Sequence, residues 1–148
     1  MATLSGGKKL VEALNRMAAK VKEPAVLRVG FLEGARYPDG TPVAMIAAIQ
    51  DFGAPSRGIP PRPFFRNMIA DKSPEWPNAI ATLLKHNDFD AKKTLMQTGE
   101  AIAGQLRESI TTFVGAPLKP ATIRRKGSEK QLVDSGVMLA SVDFEVKI

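Results

Sequence analysis

Side chains that commonly carry out catalysis are scarce in this sequence. It contains no cysteine and a single histidine, His86, which excludes thiol nucleophiles, cysteine zinc sites and catalytic triads built on any other histidine. Asp88 and Asp90 form a close pair of carboxylates, but their position beside a predicted helix start is typical of capping rather than acid–base catalysis, and Asp90 is the expected N-cap. We therefore predict a protein that is not an enzyme and that uses no cofactor or metal.

A run of basic residues in the last third indicates a different chemistry, the attraction of polyanions. Arg124, Arg125 and Lys126 are consecutive, and the whole chain carries a net charge of +6. Such a cluster suits contact with DNA phosphates or with an acidic protein surface, although an ordinary solvated loop explains it equally well. Aromatic residues make up only 6% of the chain and none adjoins the cluster, so we do not expect sequence-specific reading of bases.

Aromatic, basic and proline residues are concentrated after residue 50. Phe52 and Phe64 offer large contact areas, while Arg62 and Arg66 offer forked donors for carboxylates. The prolines of residues 54–63 favour an extended backbone and exclude helix or central strand there. This combination suits a rigid docking edge. A proline-rich connection whose phenylalanines fill the core is the alternative that the residues leave open.

The elements that position these residues follow from hydrophobic spacing. Helical periodicity predicts helices at about residues 5–22, 43–52, 64–70, 73–85 and 91–114, and a short helix ending near residue 139. Alternation of apolar and polar residues predicts strands at about residues 25–32 and 142–148. Two strands so far apart in the sequence, with helices between them, predict an α+β fold with a small, mainly antiparallel sheet. The length and composition favour one domain spanning residues 1–148.

The helix predicted at residues 43–52 is apolar on nearly every side. Thr41 is the expected N-cap, with Pro42 at the first helical position, and Gly53 is the expected left-handed C-cap. A helix without a good polar face must be covered, either by the rest of the domain or by another chain.

Two blocks of the sequence resemble a family of tailed-phage proteins. Residues 47–53 (Ala-Ala-Ile-Gln-Asp-Phe-Gly) and 59–64 (Ile-Pro-Pro-Arg-Pro-Phe) are similar to a signature of neck and tail-completion proteins of long-tailed phages and prophages. That group is related to the minor tail protein Z group. Residues 117–127 and 132–142 resemble a second block of the same family, in the same order, although Ser135 stands where the family more often has Thr.

The resemblance implies a structural virion protein of the head–tail junction, assembled in the host cytoplasm. It implies a homo-oligomeric ring, expected to be a hexamer, that completes the tail, contacts head connector and tail-tube proteins, and leaves a channel for DNA. The residues that we place at the ring interface are Asp51, Phe52, Ile59, Arg62, Phe64 and Arg66. The basic surface facing channel DNA or an acidic partner would consist of Arg124, Arg125 and Lys126.

Two other functions remain open at this point. A tail terminator, which caps the last ring of the tail tube, belongs to the same assembly and differs only in the rings that it contacts. A sequence-independent nucleic-acid-binding protein is the alternative from another class, and the net charge of +6 favours it. No membrane partner is expected, because no apolar run reaches the roughly 18 residues that a spanning helix needs.

Overall fold

The structure, a computed structural model, describes residues 6–113 and 136–148. In these residues the chain forms α1 (Gly7–Lys20), β1 (Val26–Phe31), α2 (Val43–Phe52), α3 (Phe64–Lys72), α4 (Trp76–His86), α5 (Ala91–Thr112), α6 (Val137–Ala140) and β2 (Val142–Lys147). Single turns of 3-10 helix lie at Pro55–Arg57 and Ser73–Glu75. The predicted α+β class is confirmed, and the predicted long helix is α5, with 22 residues.

The two strands pair antiparallel even though they lie near opposite ends of the chain. Arg28 faces Glu145, which is 117 positions later in the sequence. Among the described residues these two strands make up the whole sheet. Leu27, Val29 and Phe31 pack against the core, so the side of β1 that these three alternating residues share is its inner face.

The long helix α5 crosses the inner face of the sheet at Gly99. A Cβ atom at this position would lie 2.4 Å from the ring of Phe144 and 2.9 Å from the side chain of Leu27. A glycine inside a helix costs about 1 kcal/mol relative to alanine. Here its missing side chain lets the helix backbone lie directly on the sheet, which explains why a long helix contains it.

One apolar core lies between the sheet and the helices α2, α3, α5 and α6. Its buried members are Val43, Ala47, Phe64, Met68, Ile102, Ala103, Leu106, Ile110, Met138 and Val142. Ile102, Leu106 and Ile110 are buried and recur at helical spacing along the inner face of α5. Residues far apart in the sequence thus contribute to the same core, since Val43 belongs to α2 and Val142 to β2.

The ends of α2 differ from the predicted capping. Pro42, rather than Thr41, is the N-cap, with an extended backbone (φ −62°, ψ 129°). Proline cannot donate a backbone hydrogen bond, so it fits this position as well as the first helical one. Gly53 has the expected positive φ of 75°, but its ψ of 175° lies outside the left-handed helical region. Its N–H donates to Ile49 O at 2.8 Å, and the chain then turns sharply away.

Helix α1 lies outside the core. Every one of its residues is exposed or half-buried, and Leu10 and Leu14 are 61% and 53% exposed. At its end, Lys20 Nζ donates to the carbonyl of Asp88 at 2.9 Å and to the Asp88 carboxylate at 2.6 Å. Of the helices in residues 6–113 and 136–148, none has both the length and the apolar character that spanning a bilayer requires.

Candidate interface site at the ends of α2 and α3

Asp51 joins the last turn of α2 to the first turn of α3. Its side chain is buried, and its Oδ1 accepts hydrogen bonds from the backbone N–H groups of Phe65 (3.0 Å) and Arg66 (3.3 Å). These are N–H groups of the first helical turn, which have no partner inside the helix. The carboxylate also places negative charge at the positive end of α3.

The side chain of Arg66 completes this arrangement, which we call the Asp51 clamp (Asp51, Phe65 and Arg66). Arg66 Nε donates to Asp51 Oδ2 at 2.7 Å, and Arg66 Nη2 donates to the backbone carbonyl of Asp51 at 2.7 Å. Both partners of the buried carboxylate therefore come from the start of α3. The clamp fixes the angle between α2 and α3. It also fixes the position of Phe52, which follows Asp51 at the end of α2 and lies at the surface.

The proline-rich connection is tied to α2. Arg62 N donates to Gln50 O at 2.7 Å, and Arg62 Nη1 donates to Gln50 Oε1 at 3.4 Å. Ala54 and Ile59 exchange backbone hydrogen bonds of 2.9 and 3.1 Å. The expectation of an entirely non-helical connection is wrong at Pro55–Arg57, where one 3-10 turn forms. Pro55 is the first residue of that turn, a position at which no backbone N–H is needed.

The proline-rich connection passes close to the end of α2, and this close approach depends on Gly53. A Cβ atom there would lie 2.7 Å from Pro61 N and 2.9 Å from Ile59 O. Both are backbone atoms, so they cannot move aside as a flexible side chain would. The spacing of Gly53 and the Ile-Pro-Pro-Arg-Pro-Phe motif thus reflects a backbone contact within one chain.

Phe64 belongs to the core. It is fully buried, its ring centroid lies 6.3 Å from that of Phe31 and 6.2 Å from that of Phe65, and Ser109 Oγ donates to its carbonyl at 2.7 Å. The expectation that its side chain meets another subunit is corrected here, because the chain itself covers that side chain. The alternative in which phenylalanine fills the core describes this residue.

The six predicted interface residues therefore divide into an inner and an outer group. Asp51, Arg62 and Phe64 are buried within the chain, so in this conformation they position other groups instead of meeting a partner. Phe52 is 64% exposed, and the Arg66 guanidinium lies 4.5 Å from the centroid of its ring. This is a cation–π contact at the surface. Ile59 is half-buried in the bridge to Ala54.

An apolar groove of about 380 Å³ adjoins Phe52, between β1, α2 and α3. We call it the α2–α3 groove. Its lining includes Val29, Gly30, Phe31, Ala44, Ala47, Ala48, Phe52, Phe65 and Ile69, with Asp51 and Arg66 at its polar side. Small side chains form much of it, so an apolar element could approach the backbone closely. Residue spacing alone does not reveal this groove, because three separate elements form it; the alanines of α2 are its one local signal.

The remaining candidate groups have structural surroundings. Asp90 is the N-cap of α5, accepting from Lys93 N at 3.0 Å, as predicted. The hydrogen bond and the positive charge of Lys20 hold the pKa of the Asp88 carboxyl below its ordinary value. His86 is exposed in the last turn of α4. Within the described ranges, no group of three or more His, Asp or Glu side chains could hold a metal ion.

The predicted basic surface lies in a part of the sequence outside the described residues. It consists of Arg124, Arg125 and Lys126, and their contact with DNA or with an acidic partner stays a prediction.

Comparison with protein-family models, with curated proteins and with solved structures finds no match to this chain.

Proposed function

We propose that this chain is a structural protein of the tailed-phage head–tail junction. Copies of it would form a ring, expected to contain six, that completes the tail and docks it to the head connector while leaving a channel for DNA. The proposal starts from the resemblance of residues 47–53 and 59–64 to neck and tail-completion proteins. The observation that carries it is that the motif combines a clamp around the buried Asp51 carboxylate with an exposed aromatic edge at Phe52.

The inner part of the motif behaves as a support. Asp51 accepts four hydrogen bonds from Phe65 and Arg66 that fix the ends of α2 and α3, and Phe64 anchors the start of α3 in the core. A support of this kind holds whatever surface it carries in one geometry. Preorganised contact groups lose little conformational freedom on association.

The outer part of the motif has the composition of an interface. Phe52 and Arg66 are the residue types that protein interfaces are enriched in, and they border an apolar groove. Phe52 is 64% exposed, which leaves a large aromatic surface in water on the single chain. Exposed apolar surface of this kind, rimmed by polar groups, is characteristic of association sites.

The charge of the chain is consistent with a DNA channel. With a net charge of +6, a ring of several copies presents many cations to a polyanion. Attraction to phosphates needs no contact with bases, and base-specific contacts would hinder passage of the genome. A structural ring also requires no nucleophile, metal or cofactor.

The proposal is tested by the mass and shape of the purified full-length chain, measured by native mass spectrometry and negative-stain electron microscopy. We expect a closed ring of one stoichiometry, and we expect Phe52→Ser to release monomers or open fragments. Met96→Ser is the matched control, because Met96 is 47% exposed on α5 and lies outside the α2–α3 groove. Circular dichroism would verify that both variants fold.

Three outcomes would redirect or end the proposal. A chain that stays monomeric at every concentration, also with connector and tail-tube proteins present, contradicts it. Salt-sensitive binding of DNA by such a monomer supports the nucleic-acid-binding alternative. A ring that attaches to the last tail-tube ring and not to the connector supports the tail terminator.

A further inference from the structure

The exposed large apolar side chains of the described residues fall mainly into two groups. The first lies on α1 and consists of Leu10, Val11 and Leu14, continued by Val21 just after the helix. The second surrounds the α2–α3 groove and includes Phe52 and Ile69, with Met45 on the neighbouring turn of α2. Each group leaves several large apolar side chains exposed in the single chain.

The apolar stripe of α1 is only partly covered in the single chain. Leu10, Leu14, Met17 and Val21 repeat at intervals of three and four residues, which places them on one side of the helix. Met17 is half-buried, as is Ala13 at the margin of that side. Lys20, whose ammonium group bonds to Asp88, lies beyond Ala13. The helix therefore touches the protein through Met17 and one margin, and it leaves Leu10, Leu14 and Val21 exposed.

The loop that holds α1 and the Asp51 clamp lie near opposite ends of α5. The loop that holds α1 contains Asp88, directly before the first turn of α5. At the other end, Ser109 bonds to the carbonyl of Phe64, next to the Asp51 clamp and the groove. Nineteen residues of helix separate Asp90 from Ser109, which corresponds to about 28 Å. With Lys20 bonded to Asp88, no residue of α1 lines the groove of its own chain.

The groove has the features that receive a helix. Alanines 44, 47 and 48 and Gly30 leave room for a close approach, while Phe52 and Ile69 stand as apolar walls. Helices that pack against each other come within about 8 to 10 Å, and small residues favour the short end of that range. A stripe running from Leu10 to Val21 is about 16 Å long, enough to place three large side chains along such a groove.

We propose that α1 of one copy lies in the α2–α3 groove of the next copy. This head-to-tail contact covers both apolar surfaces with one interface, whereas pairing of two α1 helices would leave the groove in water. Heterologous contacts of this type close into rings when the rotation between copies permits. The inference rests on the proposed function, because the ring supplies the next copy, and it names the surfaces that join.

Cross-linking tests the contact directly, since the natural chain has no cysteine. One full-length variant carries Leu14→Cys and a second carries Ala48→Cys, both at exposed positions. The two variants are mixed and treated with a short bifunctional maleimide, which tolerates several ångströms of misplacement. We expect a covalent dimer in the mixture and monomers in each variant alone. A chain carrying both substitutions should give a ladder that ends at the mass of the ring.

The matched control replaces Leu14→Cys with Asn15→Cys, one position along and on the polar side of α1. Mixed with Ala48→Cys under the same conditions, it should lose the dimer. An equal yield from Asn15→Cys would overturn the inference, because it would show collision rather than a defined contact. Circular dichroism of all three variants verifies that the helices are retained.

Other results identify other occupants and overturn the inference. Dimers of the Leu14→Cys variant alone would show that two α1 helices pair, and a cross-link within one copy of the double variant would show that α1 folds back onto its own groove. Binding to phosphatidylserine vesicles that Leu14→Glu abolishes, without a cross-link between positions 14 and 48, would assign the stripe to a lipid surface. Closed rings without the 14–48 cross-link reject this contact and leave the proposed function standing; monomers under all conditions reject both.

Discussion

Helices α5 and α1 have the same kind of hydrophobic periodicity and opposite surroundings. In α5, Ile102, Leu106 and Ile110 are buried against the sheet and α3; in α1, Leu10 and Leu14 are largely exposed. Periodicity is a property of one helix, and it indicates which side of that helix is apolar and packs against other residues. Burial depends on the rest of the molecule and on its partners. The difference therefore shows that the described residues leave much of the apolar side of α1 uncovered.

The polar contacts that hold the core region and α1 in place differ in the same way. The Asp51 clamp lies at the edge of the core, with a buried carboxylate and four hydrogen bonds. The anchor of α1 is the contact between Lys20 and Asp88, in which the Asp88 side chain is 83% exposed. Exposed ion pairs contribute little to stability because solvent and salt screen them. The core region is therefore held by buried contacts of the chain itself, whereas the polar anchor of α1 is an exposed contact.

The largest expected effect is a difference in the free energy of unfolding when one leucine is truncated to alanine in α5 and one in α1. Leu106→Ala should lower the free energy of unfolding of the dilute monomer by about 2 to 5 kcal/mol, because Leu106 is fully buried. Leu14→Ala should change it by less than about 0.5 kcal/mol. Urea unfolding measures both. A comparable loss for Leu14→Ala would mean that α1 is packed in the monomer, and the contrast between the helices would disappear.

A second prediction compares two glycines on different sides of α5. Gly99→Ala should destabilise the protein by about 1 to 3 kcal/mol, because its Cβ would meet the ring of Phe144 at 2.4 Å. At Gly104 an added Cβ meets no atom of the described residues within 4 Å, so Gly104→Ala should stabilise the helix by up to about 1 kcal/mol. Thermal unfolding distinguishes the two. Equal effects would contradict the close contact between α5 and the sheet.

A substitution in the Asp51 clamp should have a smaller effect on the free energy of unfolding. Asp51→Asn removes the charge and turns one oxygen into a donor facing Arg66, so we expect a loss of about 1 to 2 kcal/mol, reduced by the partial exposure of the Arg66 side chain. Asp71→Asn on α3 is the control, since that side chain is 76% exposed. If urea unfolding shows the same small change for both variants, the clamp does not support α3.

The smallest effect concerns the anchor of α1. Lys20 lowers the pKa of Asp88, so the contact is present above the pKa of an unpaired carboxyl and is lost as the pH falls through the lowered value. An NMR titration of the Asp88 carboxyl should therefore give a lower midpoint in the natural chain than in Lys20→Gln. Identical midpoints would show that Lys20 and Asp88 do not interact in solution.

Local patterns predict much of the fold, and they fail where distant residues meet. The positions of α2, α5 and both strands follow from spacing and alternation, because each pattern lies within one element. The clamp between Asp51 and Arg66 joins residues 15 positions apart across an irregular connection, so no period reveals it. Phe64 illustrates the same limit, since a phenylalanine after a proline-rich segment suits a docking edge and a core equally well.

The central claim is that other copies of this chain cover α1 and the α2–α3 groove, and hydrogen–deuterium exchange tests it most directly. Exchange is compared between the concentrated, assembled chain and the dilute monomer. The account predicts that peptides from α1 (Gly7–Lys20) and α2 (Val43–Phe52) gain protection together on assembly, while α4 (Trp76–His86) stays unchanged. Exchange in α1 that is the same at every concentration, or protection of α1 without protection of α2, would contradict it.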